Sequence, residues 1–362
     1  MLAFDVTPDI EELISVANRL GAEELDHGVR DAEQAGAWPD RVSAVLRELP
    51  LGGLDLPESL GGVAAGCVAK VAVLEELAAH DAGGLPATDQ PGPAVGAVLA
   101  CPDAYRARRV AGASLGGAAS CALAVGEEGQ PRPRRLAWVA ARPRPSWVWV
   151  SQGDDLRLLQ VEAGGGGAAR EAADEAPLAF HASGAAAVSL TSAEVIGTWP
   201  LAPGGGLQVR GRARLWAAAV SLGVARAALA STLAYTTERV VFGKPVAHHQ
   251  GNAFDLAAMA ARVHAARLCV RDAAARFDGN DPDAGFWATT AWVETTETAI
   301  AVTDLGIQLL GGHGFLMDHL AEKRFREARM LGLLFGGRDG AVADLASAVI
   351  ELADPILPGG DS

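Results

Sequence analysis

Apolar and polar residues follow different rhythms in successive stretches of this 362-residue chain. Between 8 and 47, Ile10, Leu13, Ile14, Ala17 and Leu20 recur at three- and four-residue steps, which predicts helix. PLGGLDLPESLGG (50–62) interrupts that rhythm with proline and glycine. VAKVAVLEELAAHDA (68–82) restores it, and 84–103 is again rich in proline and glycine around a short apolar run at 95–101. Near 115 the rhythm changes. CALAV, RLAWVAA, SWVWVSQ and LRLLQVEA are short apolar runs bounded by charged or glycine-containing turns, the mark of strands. GDD (153–155) predicts a hairpin, with Asp154 and Asp155 as turn residues, AGGGGAAREAADEA predicts a surface loop, and LAFHASGAAAVSL predicts renewed strand. From 209 onward, 210–238, 250–277, 284–310, 318–332 and 340–353 carry apolar faces with helical spacing, and GNDPDAG (279–285) separates two of them.

The expected class is α+β in three parts: an N-terminal helical domain (1–113), a small, shortened middle β domain (114–206), and a C-terminal domain like a four-helix bundle (207–362). The length suffices for a large core. Half the residues are apolar, which argues against long disordered spans. The net charge of −14 lacks the positive footprint of a nucleic-acid binder. The acidic start MLAFDVTPDIEELI has neither the basic region nor the apolar core of a signal peptide. LWAAAVSLGVARAALASTLAY (215–235) is apolar but carries Arg226 at its centre, so a buried helix of a soluble, cytoplasmic protein is expected rather than a membrane span.

Cys67, Cys101, Cys121 and Cys269 form no CxxC pair, so reduced, mostly buried thiols are expected, with no metal site. His248 and His249 are adjacent, which on a helix points them about 100° apart, and they read as helix-start or surface residues. Glu75 and Glu76 read as a solvated or interface face.

Four stretches in this order resemble the acyl-CoA dehydrogenase family: GLDLPESLGG followed by VLEELAAHDA; ERVVFGKPVAHHQ (238–250); QLLGGHGF (308–315); and EKRFREARML, leading to the place where the family has tyrosine-glutamate-glycine-threonine. The resemblance implies α,β-dehydrogenation of an acyl-CoA. A carboxylate removes the α-proton, and FAD takes up the β-hydrogen as hydride.

Matching these stretches puts Phe335 where the family's glutamate base stands, and a benzene ring accepts no proton. The family's alternative base position, before an arginine on an earlier helix, falls on Ala213, ahead of Arg214. Asp339, one helical turn past Phe335, is a weaker substitute. The family's strand that cradles the flavin ring has no counterpart near CALAVGEEGQ. Its tryptophan-isoleucine-threonine/serine motif has two weak candidates, Trp138-Val139-Ala140 and Trp149-Val150-Ser151, each of which reads rather as a tryptophan packing in a β core.

In contrast, Arg239, Phe242, Gln250, Gln308, Gly311 and Gly312 match positions that in the family reach across a dimer to the adenosine and pyrophosphate end of a neighbour's FAD. The residue types suit that role. An arginine fork pairs with phosphate oxygens, and glycines admit close backbone approach.

This asymmetry resembles the non-catalytic subunit of a heteromeric α2β2 acyl-CoA dehydrogenase of the actinobacterial steroid-catabolism type. The implied partner is a second subunit that carries the base and shares its FAD. Two other readings stay open: a flavoenzyme with a different base, and a non-enzymatic scaffold or acyl-CoA binder. Flavin bound by the chain alone would mark the former, and failure to associate with an acyl-CoA dehydrogenase subunit the latter.

Overall fold

The computed structural model describes residues 7–351 apart from 127–128, 130, 132, 134, 140–144, 162–176 and 185. The surface loop expected over AGGGGAAREAADEA lies outside the described residues. The N-terminal third is helical: α1 (Pro8–Leu20), α2 (Val29–Ala35), α3 (Asp40–Glu48), α4 (Gly66–His80), the short α5 (Leu85–Thr88), α6 (Val95–Ala100) and α7 (Ala104–Leu115). Thr7 caps α1 by accepting from the Ile10 N–H, with Pro8 in the first turn. The apolar run at 95–101 is helix, and α7, whose many arginines blur its stripe, follows directly.

A four-stranded sheet comes next, in the order β1 (Ser120–Gly126), β3 (Pro145–Gln152), β4 (Asp155–Gln160), β6 (Glu194–Pro200). β1 runs parallel to β3, and the other pairs are antiparallel. The expected hairpin is present, with Gln152 opposite Asp155 and Gly153 left-handed at φ +53°. β2 (Arg135–Val139) pairs separately with β5 (Ala186–Ser189). Most of 178–190 is therefore not strand. Phe180 and Gly184 are left-handed, and Ser183 Oγ donates to the Phe180 carbonyl, which closes a turn there.

Alternation along β3 sets the faces of the large sheet. Trp147 and Trp149 join Leu156 and Leu158 in one buried cluster with Val209 and Ala213. Val148 and Val150 join Leu159 and Leu190 in another.

The C-terminal helices are α8 (Gly205–Glu238), α9 (Gln250–Asp278), α10 (Ala284–Leu310), α11 (Ala321–Leu331) and α12 (Gly337–Glu351). α8 is buried almost all round because it lies between α4, α9 and α10. Its small residues permit that. A Cβ on Gly223 would sit 2.4 Å from the Glu75 carbonyl oxygen, and one on Gly211 2.5 Å from that of Gly285. α8 is the one helix among the described residues long and apolar enough to cross a membrane, and two thirds of its apolar window (67%) is covered by the protein itself. α9 instead buries Leu256, Met259, Val263, Ala266 and Val270 in a single stripe.

Glu75 and Glu76 are not solvated. Both are buried on α4, where Arg226 of α8 pairs with Glu76 at 2.7 Å and Arg267 of α9 with Glu75 at 2.7 Å. Asn18 donates to Glu76 at 2.6 Å. A helix enclosed on every side has no wet face, so its carboxylates need cations from its neighbours. Asp154 is more than a turn residue, since it accepts from the Gly204 and Gly206 N–H groups at 3.0 and 2.8 Å and caps α8. Three of the four cysteines are buried, and Cys269 is exposed on α9.

Candidate functional site

Two regions carry the residues that the sequence singled out. The first lies where the start of α8 meets the turn before α12. Ala213 and Arg214 are fully buried there. Phe335, Gly336 and Gly337 all have positive φ (50°, 96° and 65°). Two glycines make this turn accessible, while Phe335 adopts an unusual conformation for a bulky residue. The Phe335 ring packs against both the bundle core and the sheet-facing cluster. Its carbonyl accepts from Arg214 Nε at 3.3 Å and Nη2 at 3.1 Å. The chain thus brings both base positions together around Arg214, and neither carries a proton acceptor.

Asp339 is exposed on α12. The carboxylate that reaches Arg214 is that of Asp344, 2.6 Å from Nη1. Asp344 also pairs with Arg210, at 3.0 Å from Nε and 2.8 Å from Nη2. Burial lowers the Arg214 pKa while Asp344 opposes that shift, and a guanidinium stays charged in either case. Two arginines hold this carboxylate, and both of its oxygens are engaged by them.

A second carboxylate, Asp89, is wholly buried and pairs with Lys70 at 2.5 Å. It accepts from Trp216 Nε1 at 2.6 Å. Its pKa is raised by burial, against the pull of Lys70. Both oxygens are engaged, so it too is tied into the packing.

Of the two tryptophan motifs, Trp149-Val150-Ser151 lies on β3 beside α8. Ala140 of the other motif falls outside the described residues. Trp149 is fully buried, its ring centroid 6.1 Å from that of Trp199. Arg210 Nη1 donates to Ser151 Oγ at 3.3 Å and to the Gly153 carbonyl at 2.8 Å. Arginine and packed apolar side chains therefore occupy the sheet face that carries Trp149 and Ser151, where the resemblance expects a flavin ring. These residues do not fit the ring.

The second region is the far end of the bundle, where α8 ends, α9 begins and α10 ends. Arg239 follows α8, and its carbonyl accepts from the Val246 N–H at 2.8 Å. Its guanidinium is exposed and makes no ion pair among the described residues. Phe242 is 95% exposed, with φ +51°, in the hairpin formed by β7 (Val240–Val241) and β8 (Lys244–Pro245). His248 is exposed after that hairpin, and His249 Nε2 bonds the Val241 carbonyl at 3.0 Å. Gln250 and Gln308 are exposed at the start of α9 and the end of α10. Gly311 and Gly312 follow in a 3₁₀ turn, and a Cβ on either would meet nothing within 4 Å.

All six predicted residues therefore face solvent from one end of the bundle. A free guanidinium, two amides and an open glycine turn suit the phosphate-bearing end of a nucleotide. Tyr235, His313 and His319, which the sequence reading passed over, complete this end. Tyr235 Oη and His313 Nδ1 share a hydrogen bond of 3.0 Å. Only their closeness to Arg239 and to the glycine pair in the sequence could have marked them.

Two family models match the chain: the acyl-CoA dehydrogenase N-terminal domain over residues 7–97 and the C-terminal domain over 209–350. The chain belongs to the acyl-CoA dehydrogenase family. The two matched stretches flank the sheet region.

The chain is similar to the probable acyl-CoA dehydrogenase FadE25 of Mycobacterium tuberculosis, with 26% identity covering 92% of this chain and 93% of the relative. Its fold is similar to that of butyryl-CoA dehydrogenase from Megasphaera elsdenii, with TM-score 0.78 and 19% identity over 96% and 99% of the two chains. It is also similar to a variant of the Tcur3481–Tcur3483 steroid ACAD, with TM-score 0.75 and 23% identity over 95% and 98%. Helical N-terminal, small sheet and helical C-terminal regions make up the acyl-CoA dehydrogenase fold found here.

Proposed function

We propose that this chain is the base-lacking subunit of a heteromeric, FAD-dependent acyl-CoA dehydrogenase, an α2β2 assembly of the cytoplasm. Its partner subunit carries the catalytic base, and a steroid-derived CoA thioester is the proposed substrate. The observation that supports this reading most is the Arg210–Asp344–Arg214 cluster beside Phe335, set against the exposed set at the bundle end. The chain's own centre has no proton acceptor, and its sheet face is filled. Its outward face keeps Arg239, Phe242, Gln250, Gln308, Gly311 and Gly312 for the adenosine and pyrophosphate end of FAD seated mainly in the partner.

FAD, when bound, supplies the hydride acceptor for α,β-dehydrogenation. This chain's part is to bind and orient. Arg239 offers two parallel N–H donors to a diphosphate, and the glycine turn lets the ligand approach the backbone closely. Removal of the α-proton falls to the partner's carboxylate.

The test is flavin content. The chain purified alone is expected to be colourless and inactive. Co-expressed with an acyl-CoA dehydrogenase encoded beside its gene, it is expected to yield a yellow complex with dehydrogenase activity. One FAD per chain in the isolated protein would overturn the reading.

A further inference from the structure

The partner-facing set comes from segments far apart in sequence. Arg239 ends α8, whereas Gln308, Gly311 and Gly312 end α10, and only tertiary contacts fix one against the other. Tyr235 lies on α8 one turn before Arg239. His313 immediately follows Gly312 in the 3₁₀ turn. Their 3.0 Å hydrogen bond joins the two pieces. His319 braces it, with its ring edge-on to both: centroids lie 6.1 Å from Tyr235 and 5.6 Å from His313, at 80° and 83°. Tyr235 and His319 are half-buried, and His313 is exposed.

The geometry points to Tyr235 and His313 as positioning residues that hold the Gly311–Gly312 turn in register with Arg239 and so set the assembly's affinity for FAD. This inference rests on the proposed function above. Two features favour it over plain packing. The bond joins side chains 78 residues apart in sequence at the solvent-facing end of the bundle, and a Cβ on Gly311 or Gly312 would meet nothing within 4 Å. Gly311, at φ +59° and ψ −135°, has a conformation open essentially to glycine alone, so its turn gains little from local preference and depends on a clasp.

The experiment uses the assembly pulled from the chain's own host through a tag, stripped of flavin and titrated with FAD. Tyr235→Phe keeps the ring and removes only the hydroxyl. It is expected to weaken FAD binding about 2- to 12-fold, the range for one neutral hydrogen bond, with the thermal midpoint of the flavin-free assembly unchanged. His313→Ala should give a similar loss, and the double variant should be no worse than either single one, because both remove the same link. Amide exchange over 311–314 should quicken in each variant.

Arg239→Ala, measured in parallel, separates two kinds of failure. If it weakens FAD binding while Tyr235→Phe leaves it unchanged, the clasp is wrong and the proposed function stands. If neither variant changes FAD affinity, the proposed function itself fails. A fall in the flavin-free thermal midpoint that accounts for the lost affinity would also overturn the clasp, since Tyr235 would then merely be supporting the fold.

Discussion

Arg210 and Arg214 at one end of α8 and Arg239 at the other illustrate what position does to one residue type. The first two are buried against a shared carboxylate, two hydroxyls and two carbonyls. Arg239 is exposed and makes no ion pair among the described residues. Enclosed guanidiniums whose donors are engaged hold the fold together. An exposed one without a partner remains available to a ligand. The same helix thus has engaged guanidiniums at its start and an exposed one after its end.

The largest expected effect tests the closed end. Asp344→Leu leaves two buried guanidiniums without their anion and should cost ~3–5 kcal/mol in denaturant unfolding, with faster amide exchange over α12. A loss under ~1 kcal/mol would show that the cluster is not what secures this end. At the open end the pattern reverses. Arg239→Ala should leave stability within ~0.5 kcal/mol of the wild type. It should nevertheless weaken FAD binding by the assembly roughly 10- to 150-fold, the equivalent of ~1.5–3 kcal/mol for a charge-assisted bond. Arg239→Lys should recover only part of that, because an ammonium lacks the fork. A destabilised variant with normal FAD affinity would abolish the contrast.

A smaller effect comes from another buried charge cluster. Lys323 meets both Asp81, at 2.6 Å, and Glu327, so one buried cation faces two carboxylates. Burial, with Asp81 adding repulsion, pushes Glu327 up to about 7 against the pull of Lys323. This carboxyl is more basic in the folded than in the unfolded chain, whose value is near 4.5. Its contribution to stability is therefore complete below about pH 4.5 and is lost as the pH rises to about 7. The slope for one proton is at most ~1.4 kcal/mol per pH unit. Glu327→Gln should flatten that slope in unfolding curves measured between these limits, and an unaltered slope would assign it to another group. The smallest expected effect is nil. Phe335→Glu, assayed in the complex with the partner's own base removed, should give no turnover above background. It restores a carboxylate beside Arg214 but not a seat for the flavin ring. Measurable turnover would make the missing base the sole defect of this centre.

Much of the fold was legible in the pattern. The long helices α8, α9 and α10 and the hairpin at 153–154 follow the predicted bounds closely, because periodicity over many residues and a glycine turn leave few alternatives. The short elements were less legible. Six apolar residues at 95–100 fit strand or helix equally well, and neighbours settled the matter as helix. The candidate site divides in the same way. Phe335 and Ala213 stand out in the sequence because the resemblance expects a carboxylate at one or other of these positions. Asp344 was missed in favour of Asp339, since sequence distance favours the nearer acid, whereas α12 exposes Asp339 and turns Asp344 toward the arginines. For Glu75 and Glu76 the solvated alternative fails for a related reason: charge suggests solvent until three helices are seen to enclose it.

By itself the sequence determined the family, the order of helical, β and helical regions, and the apolar character of residues 213 and 335. These are properties of residue type and spacing, which the chain carries in any conformation. Only the tertiary structure decided which charges are spent and which are free. Arg210 could not be known to cover Ser151, nor Arg239 to stand exposed, until helices distant in sequence had packed, because whether a guanidinium is satisfied depends on what lies within about 3 Å of it in space.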